Sequence, residues 1–266
     1  MADIILNGVK YNGIEKIEVP STNGTVQFSE GGGSSELAKD LIERTKTVYD
    51  LRESGATSIG LWAFANNDSL ENIIFPEGLT SIGGNAFDSC LSLALTSLPE
   101  GITSIGENAF CNCPSLALTS LPEGITSIGS GAFAGCASIA ITSLPEHLVS
   151  IGNGAFYDCT SLAITSLPEG ITRIGEETFY LCDSLVESII FEGNIESIGW
   201  AAFDGCTGIM KYSFINNTSV PSNECQFYGI NENCKIVVPD ALYDTWIVNS
   251  DWSSLGAHII KQSKDV

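Results

Sequence analysis

The stretch Ser115–Gly129, SLALTSLPEGITSIG, decides the fold. Leu116 and Leu118 are two residues apart, so on an extended chain their side chains point the same way. Leu121 stands just before Pro122, whose missing N–H ends strand pairing, and Gly124 supports a turn. A second short extended run, Ile125–Ile128, carries two apolar side chains and is broken by Gly129. The preceding unit ends in ENAFCNC (Glu107–Cys113), which is expected to curl back as a helical or irregular arc.

Working outward, the unit repeats. An Ile-Gly pair recurs with its Ile at 59, 82, 105, 128, 151, 174 and 198, preceded by Ser except at Arg173. A Phe follows each Ile by five residues: Phe64, Phe87, Phe110, Phe133, Phe156, Phe179 and Phe203. The spacing is 23 residues five times and then 24, within the leucine-rich-repeat range. One such coil cannot bury its own apolar face, whereas stacked coils share a continuous one and need caps at both ends. The expected fold is therefore an α/β repeat solenoid with parallel β ladders, its coils about 4.8 Å apart. The Phe column, the Leu and Ile columns, and the Ala before each Phe except at Thr178 should fill the interior.

The pattern LPEGITSIGxxAFxxCxSL, running over residues 53–216, resembles the BspA-like bacterial leucine-rich repeats. The resemblance implies an elongated, curved solenoid used in adhesion or protein binding, and no shared catalytic residue. The opening ILNGVKYNGIEKIEVPSTNGTVQF is loosely similar to the start of proteins found with prophage tail genes in Firmicutes.

The ends differ from the repeats. Residues 1–33 read as short strands with Asn-Gly turns at Asn7-Gly8 and Asn12-Gly13. Residues 34–52 should hold a capping helix, SELAKDLIERT, with a stripe of Leu37, Leu41 and Ile42, followed by a degenerate first coil. Residues 217–266 should form a closing cap: a strand Lys235–Val238, then a helix from Asp240 turning Leu242, Trp246 and Ile247 inward.

Charge narrows the partners. The chain has 266 residues and a net charge of −21, and no Lys or Arg lies between Arg52 and Arg173. Nucleic acid and anionic membrane surfaces are disfavoured. The start MADIILNGVKYNG lacks a secretory signal, and no apolar run approaches a membrane span. The expected location is cytoplasmic or virion-associated, or the cell surface if a leader has been removed.

Several columns could carry chemistry. Cys90, Cys113, Cys136, Cys159, Cys182 and Cys206 form one ladder, with Asn67 in the equivalent place of the first full coil. Parallel side chains would hold their Cβ atoms too far apart for disulfides, so a column of small buried thiols is expected. Asn67 points the same way, to a packing and hydrogen-bonding role. Glu77, Glu100, Glu123, Glu146 and Glu169 each follow the repeat Pro, and suggest either a solvated turn edge or a calcium strip. One carboxylate per coil offers too few oxygens, so the solvated edge is preferred. No cofactor or metal site is expected, and with two histidines and no nucleophile arrangement no catalytic residue is assigned. The candidate binding lane is Thr96, Ser97, Thr119, Ser120, Thr142, Ser143, Thr165 and Ser166. Trp62, Tyr157, Tyr180 and Trp200 are expected on the arc, beside the Phe column. The function expected is a non-enzymatic recognition or adhesion scaffold for a protein or glycan. The alternative is a phage tail accessory that self-associates through residues 1–33.

Overall fold

A computed structural model describes residues 3–6, 9–12, 25–26, 47–225, 227 and 230–265. The chain winds into a parallel β-solenoid. Its most regular feature is a column of two-residue strands built on Ser-Ile. Thr25–Val26, Ser58–Ile59, Ser81–Ile82, Ser104–Ile105, Ser127–Ile128 and Ser150–Ile151 form one parallel sheet. Arg173–Ile174, Ser197–Ile198 and Ser222–Asn223 continue it as a second. Ser sits on Ser and Ile on Ile from coil to coil. Between the two sheets Asn153 Oδ1 accepts the Glu176 N–H at 3.2 Å, standing in for a ladder bond. The column runs one rung beyond the last recognisable repeat, to Ser222–Asn223.

In-register stacking turns each sequence position into a column. The seven Phe rings stack in a row, with neighbouring centroids 5.1–5.8 Å apart and planes within 18°. All seven are buried, so each contributes both its transfer from water and an aromatic contact on each side. The expected Leu, Ile and Ala columns line the same interior.

The arc is a ladder as well, rather than a helix. Asn108, Phe110 and Asn112 donate their N–H groups to Ser130, Ala132 and Ala134 of the next coil at 2.7–2.8 Å. The alternate residues Ala109 and Cys111 donate within their own turn, to Gly106 and Asn108. This alternation needs a left-handed residue at two points of each arc. Asn85, Asn108, Gly131 and Gly154 take one of them, and Ser89, Asn112, Gly135 and Asp158 the other. Gly and Asn tolerate that conformation best.

The ladder cysteines fit this geometry. Each thiol donates to the carbonyl of the Phe one coil earlier, from Cys90 to Phe64 (3.1 Å) through Cys206 to Phe179 (2.9 Å). Asn67 is buried at the same level of the first coil, as expected for packing. Its amide, however, has no hydrogen-bond partner among the described residues.

The ends match the expectation in part. Asp3–Leu6 pairs antiparallel with Val9–Asn12, Leu6 opposite Val9. The joint at Gly31–Ser35 and the helix expected over SELAKDLIERT lie outside the described residues. At the other end Lys235–Val238 is a strand, but the helix from Asp240 is short: a 3-10 turn, Asp240–Leu242, and one α-turn, Tyr243–Trp246. Trp246 and Trp252 are fully buried and meet edge to face at 5.3 Å, closing the aromatic column over Phe214 and Phe227. Leu242 and Ile247 are half-buried against them. The Trp252 indole N–H donates to the Pro221 carbonyl at 2.8 Å, and the Asn223 amide to that of Asp251, which covers the end of the Ser-Ile column.

Candidate binding face

The lane owes its shape to a one-residue difference in spacing. In four central coils the inward residues flanking it are three apart: Leu95 and Leu98, Leu118 and Leu121, Ile141 and Leu144, Ile164 and Leu167. A strand turns successive side chains to opposite faces and cannot bury both members of such a pair while regular. The chain bends between them and turns two neighbouring side chains outward, Thr96-Ser97 in one coil and Thr119-Ser120 in the next. In the flanking coils the spacing is two: Ile73 and Phe75, Ile189 and Phe191, Tyr212 and Phe214, Ile236 and Val238. There strands form. Val48–Asp50 pairs with Asn72–Ile74 on one side, and Glu187–Phe191, Ile209–Ser213, Lys235–Val238 and Ile259–Lys261 form a parallel sheet on the other, to which Ser166–Leu167 of the last three-spaced coil adds a two-residue edge strand.

The strand expected through Leu116–Leu118 is therefore absent, although both side chains are buried as expected. Coil joins coil here by single backbone bonds, Ala117 N–H to the Leu95 carbonyl at 3.0 Å and Ala140 to Leu118 at 2.9 Å. The lane is a strand-free window between two sheets. Thr96, Ser97, Thr119, Ser120, Thr142, Ser143 and Thr165 are exposed in it, while Ser166, already in a strand, is half-buried. At one rim the straight segment Asn72–Phe75 diverges from the bent segment Ala94–Pro99 and leaves a concavity of about 410 Å³. It is lined by Asn72–Phe75 and Ala94–Pro99, and most of its accessible surface is polar, with Ile73, Leu95 and Leu98 buried beneath it. The shift from Ile73-x-Phe75 to Leu95-x-x-Leu98 was the sequence signal for this groove.

The other columns are placed as follows. Glu77, Glu100, Glu123, Glu146 and Glu169 are all exposed at the turn edge. Among the described residues no three His, Cys, Asp or Glu side chains are grouped to hold a metal ion. The two histidines are far apart in role: His147 is exposed, and His258 Nδ1 donates to the Cys234 carbonyl at 2.9 Å. Burial pushes the ladder thiols up, Cys159 and Cys206 to about 12, with the hydrogen bond from the neighbouring coil pulling the other way. Such thiols are poor nucleophiles at neutral pH. On the arc Tyr157 and Tyr180 stack at 5.0 Å and 15°, half-buried, while Trp200 is half exposed. Desolvation raises the Tyr157 hydroxyl above its ordinary value, followed by Tyr180, Glu177 and Asp158. Among the described residues no helix is long and apolar enough to cross a membrane.

A parallel solenoid of 23-residue coils with Leu, Ile and Phe columns belongs to the leucine-rich-repeat class. The BspA type leucine-rich repeat region matches residues 50–146 and 126–244, in six copies, and the chain belongs to that family. Among solved structures it is similar to the Treponema pallidum (T. pallidum) leucine-rich repeat protein, at 34% identity and a TM-score of 0.50. That match covers 57% of this chain and 70% of the other. A leucine-rich repeat protein from Bacteroides ovatus matches at 25% identity and a TM-score of 0.57, over 88% of this chain and 61% of its own length. One from Eubacterium ventriosum, at 20% identity and a TM-score of 0.52 over 69% of this chain and 46% of its own, shares the fold. No match is found among curated proteins.

Proposed function

We propose that this chain is a non-enzymatic recognition scaffold that binds an extended protein segment or glycan along its strand-free lane. The observation that carries this reading is the window itself. Three coils present exposed Thr-Ser pairs at a constant repeat, a fourth adds Thr165, and a groove with a mostly polar lining opens at one end. Hydroxyls with adaptable rotors beside a mostly polar groove suit a ligand with polar groups along its length. The charge of −21 turns the choice away from nucleic acid. The repeat family uses its coils as a scaffold for interaction rather than as an active site.

The test is a glycan and peptide array probed with the wild type and with a lane variant, Thr96→Arg with Thr119→Arg. Ligands of the wild type should lose about tenfold or more in affinity in the variant, since long side chains fill the lane. Full retention of every ligand by the variant would sink this reading. Circular dichroism melts on both proteins confirm that the coils are intact.

A further inference from the structure

The arc carries a second surface, independent of the lane. Six residues after each ladder Ile the column reads Ala65, Asp88, Cys111, Ala134, Tyr157, Tyr180 and Asp204. Tyrosines occupy two successive coils and stack on each other. Gly135 N–H donates to the Tyr157 carbonyl at 2.7 Å, and Asp158 N–H to that of Tyr180 at 2.7 Å, so the coils of Ala134, Tyr157 and Tyr180 are consecutive neighbours. The ring face of Tyr157 turned away from Tyr180 therefore lies on the side of a coil whose side chain at this level is a methyl group. In-register stacking would place one more planar group over Ala134.

The charge on the two tyrosine coils has a single sign. Asp158 follows Tyr157 directly, Glu177 lies in the same turn as Tyr180, and Glu176 and Asp183 are exposed beside them. No Lys or Arg occurs between Arg52 and Arg173, and Arg173 is engaged with Glu196 at 3.3 Å. A cation over a tyrosine is already used elsewhere in the fold: Lys261 Nζ sits 5.0 Å from the Tyr243 ring centre.

We propose that the Tyr157–Tyr180 stack, with Asp158 and Glu177, is a docking point for an arginine-bearing segment of a partner protein. The guanidinium continues the aromatic stack on the free face of Tyr157, above Ala134. A guanidinium is planar, stacks on aromatic faces and donates in pairs to carboxylates, so it meets both features of the patch at once. An ammonium can sit over a ring but neither stacks as a plane nor donates as a fork, and a neutral glycan meets only the rings.

The experiment measures binding of fluorescein-labelled hexa-arginine and hexa-lysine peptides by anisotropy, at an ionic strength of about 0.15 M, where diffuse surface attraction is screened. The wild type should prefer the arginine peptide. Tyr157→Ala should weaken it about five- to tenfold. Ala134→Tyr, which extends the stack by one ring, should weaken it to a similar degree without lowering the melting temperature. The lane variant Thr96→Arg/Thr119→Arg should bind it as the wild type does, which separates this surface from the lane. Equal binding of the two peptides, unchanged binding in Tyr157→Ala and Ala134→Tyr, or no binding at all would overturn the proposal.

Discussion

At the residue scale, the ladder thiols show how repetition turns a reactive side chain into a structural one. Each Cys is small enough for the interior and donates to the carbonyl one coil back. Its raised pKa has a consequence for stability. In the unfolded chain a thiol ionises near its ordinary value of 9.0, while buried Cys159 stays protonated up to about 12. The unfolded state thus loses protons first, and native stability is present below pH 9 and falls as pH rises above it. Each such thiol should lower stability by about 1.4 kcal/mol per pH unit there. Urea titrations at pH 8, 9 and 10 would measure the slope, and a Cys159→Ala variant should show a shallower one. An identical slope in the variant would remove the thiols from the account. Asn67 has the burial of the column without its hydrogen bond, among the described residues.

At the element scale, the coil is defined by how closely backbones approach. A Cβ added to Gly129 would lie 2.5 Å from Glu107 N and from Gly106 C, atoms of the preceding coil that cannot swing aside. Gly83, Gly106, Gly152 and Gly199 meet the preceding backbone in the same way, so these glycines are set by contact between coils as much as by their own turns. Gly129→Ala should cost about 3 kcal/mol, as overpacking against rigid atoms does. Chemical denaturation would read the loss directly, and a variant as stable as the wild type would show that the coils can separate locally. The lane belongs to this scale as well. Apolar residues three apart give a bend and residues two apart give a strand, which is why Leu118-Thr-Ser-Leu121 and Ile189-Ile-Phe191 differ in conformation in the same fold.

At the scale of the whole molecule, stability is a sum over neighbouring coils, so the ends decide where opening begins. Trp246 and Trp252 close the C-terminal end over Phe214 and Phe227, and the tail is held by Asp265, 3.0 Å from Lys211. Trp252→Ala should cost about 3–5 kcal/mol locally. Hydrogen exchange should then accelerate first in the strands Lys235–Val238 and Ile209–Ser213, leaving Ser104–Ile105 protected. Uniform acceleration through every coil would mean that the solenoid unfolds as one unit.

The sequence by itself determined the solenoid, its period and its columns, because a strict repeat can bury its apolar positions only by stacking on copies of itself. It also placed Phe, Cys and Ile in the interior and Thr and Ser outside, since burial follows side-chain type once the register is repetitive. Only the tertiary structure decided which segments become strands. Leu116-x-Leu118 satisfies a strand pattern locally, and the bend appears when Leu121 must reach the same interior. The shortness of the C-terminal helix and the groove beside Phe75 were settled in the same way. Each depends on how adjacent coils meet, and no single coil carries that information.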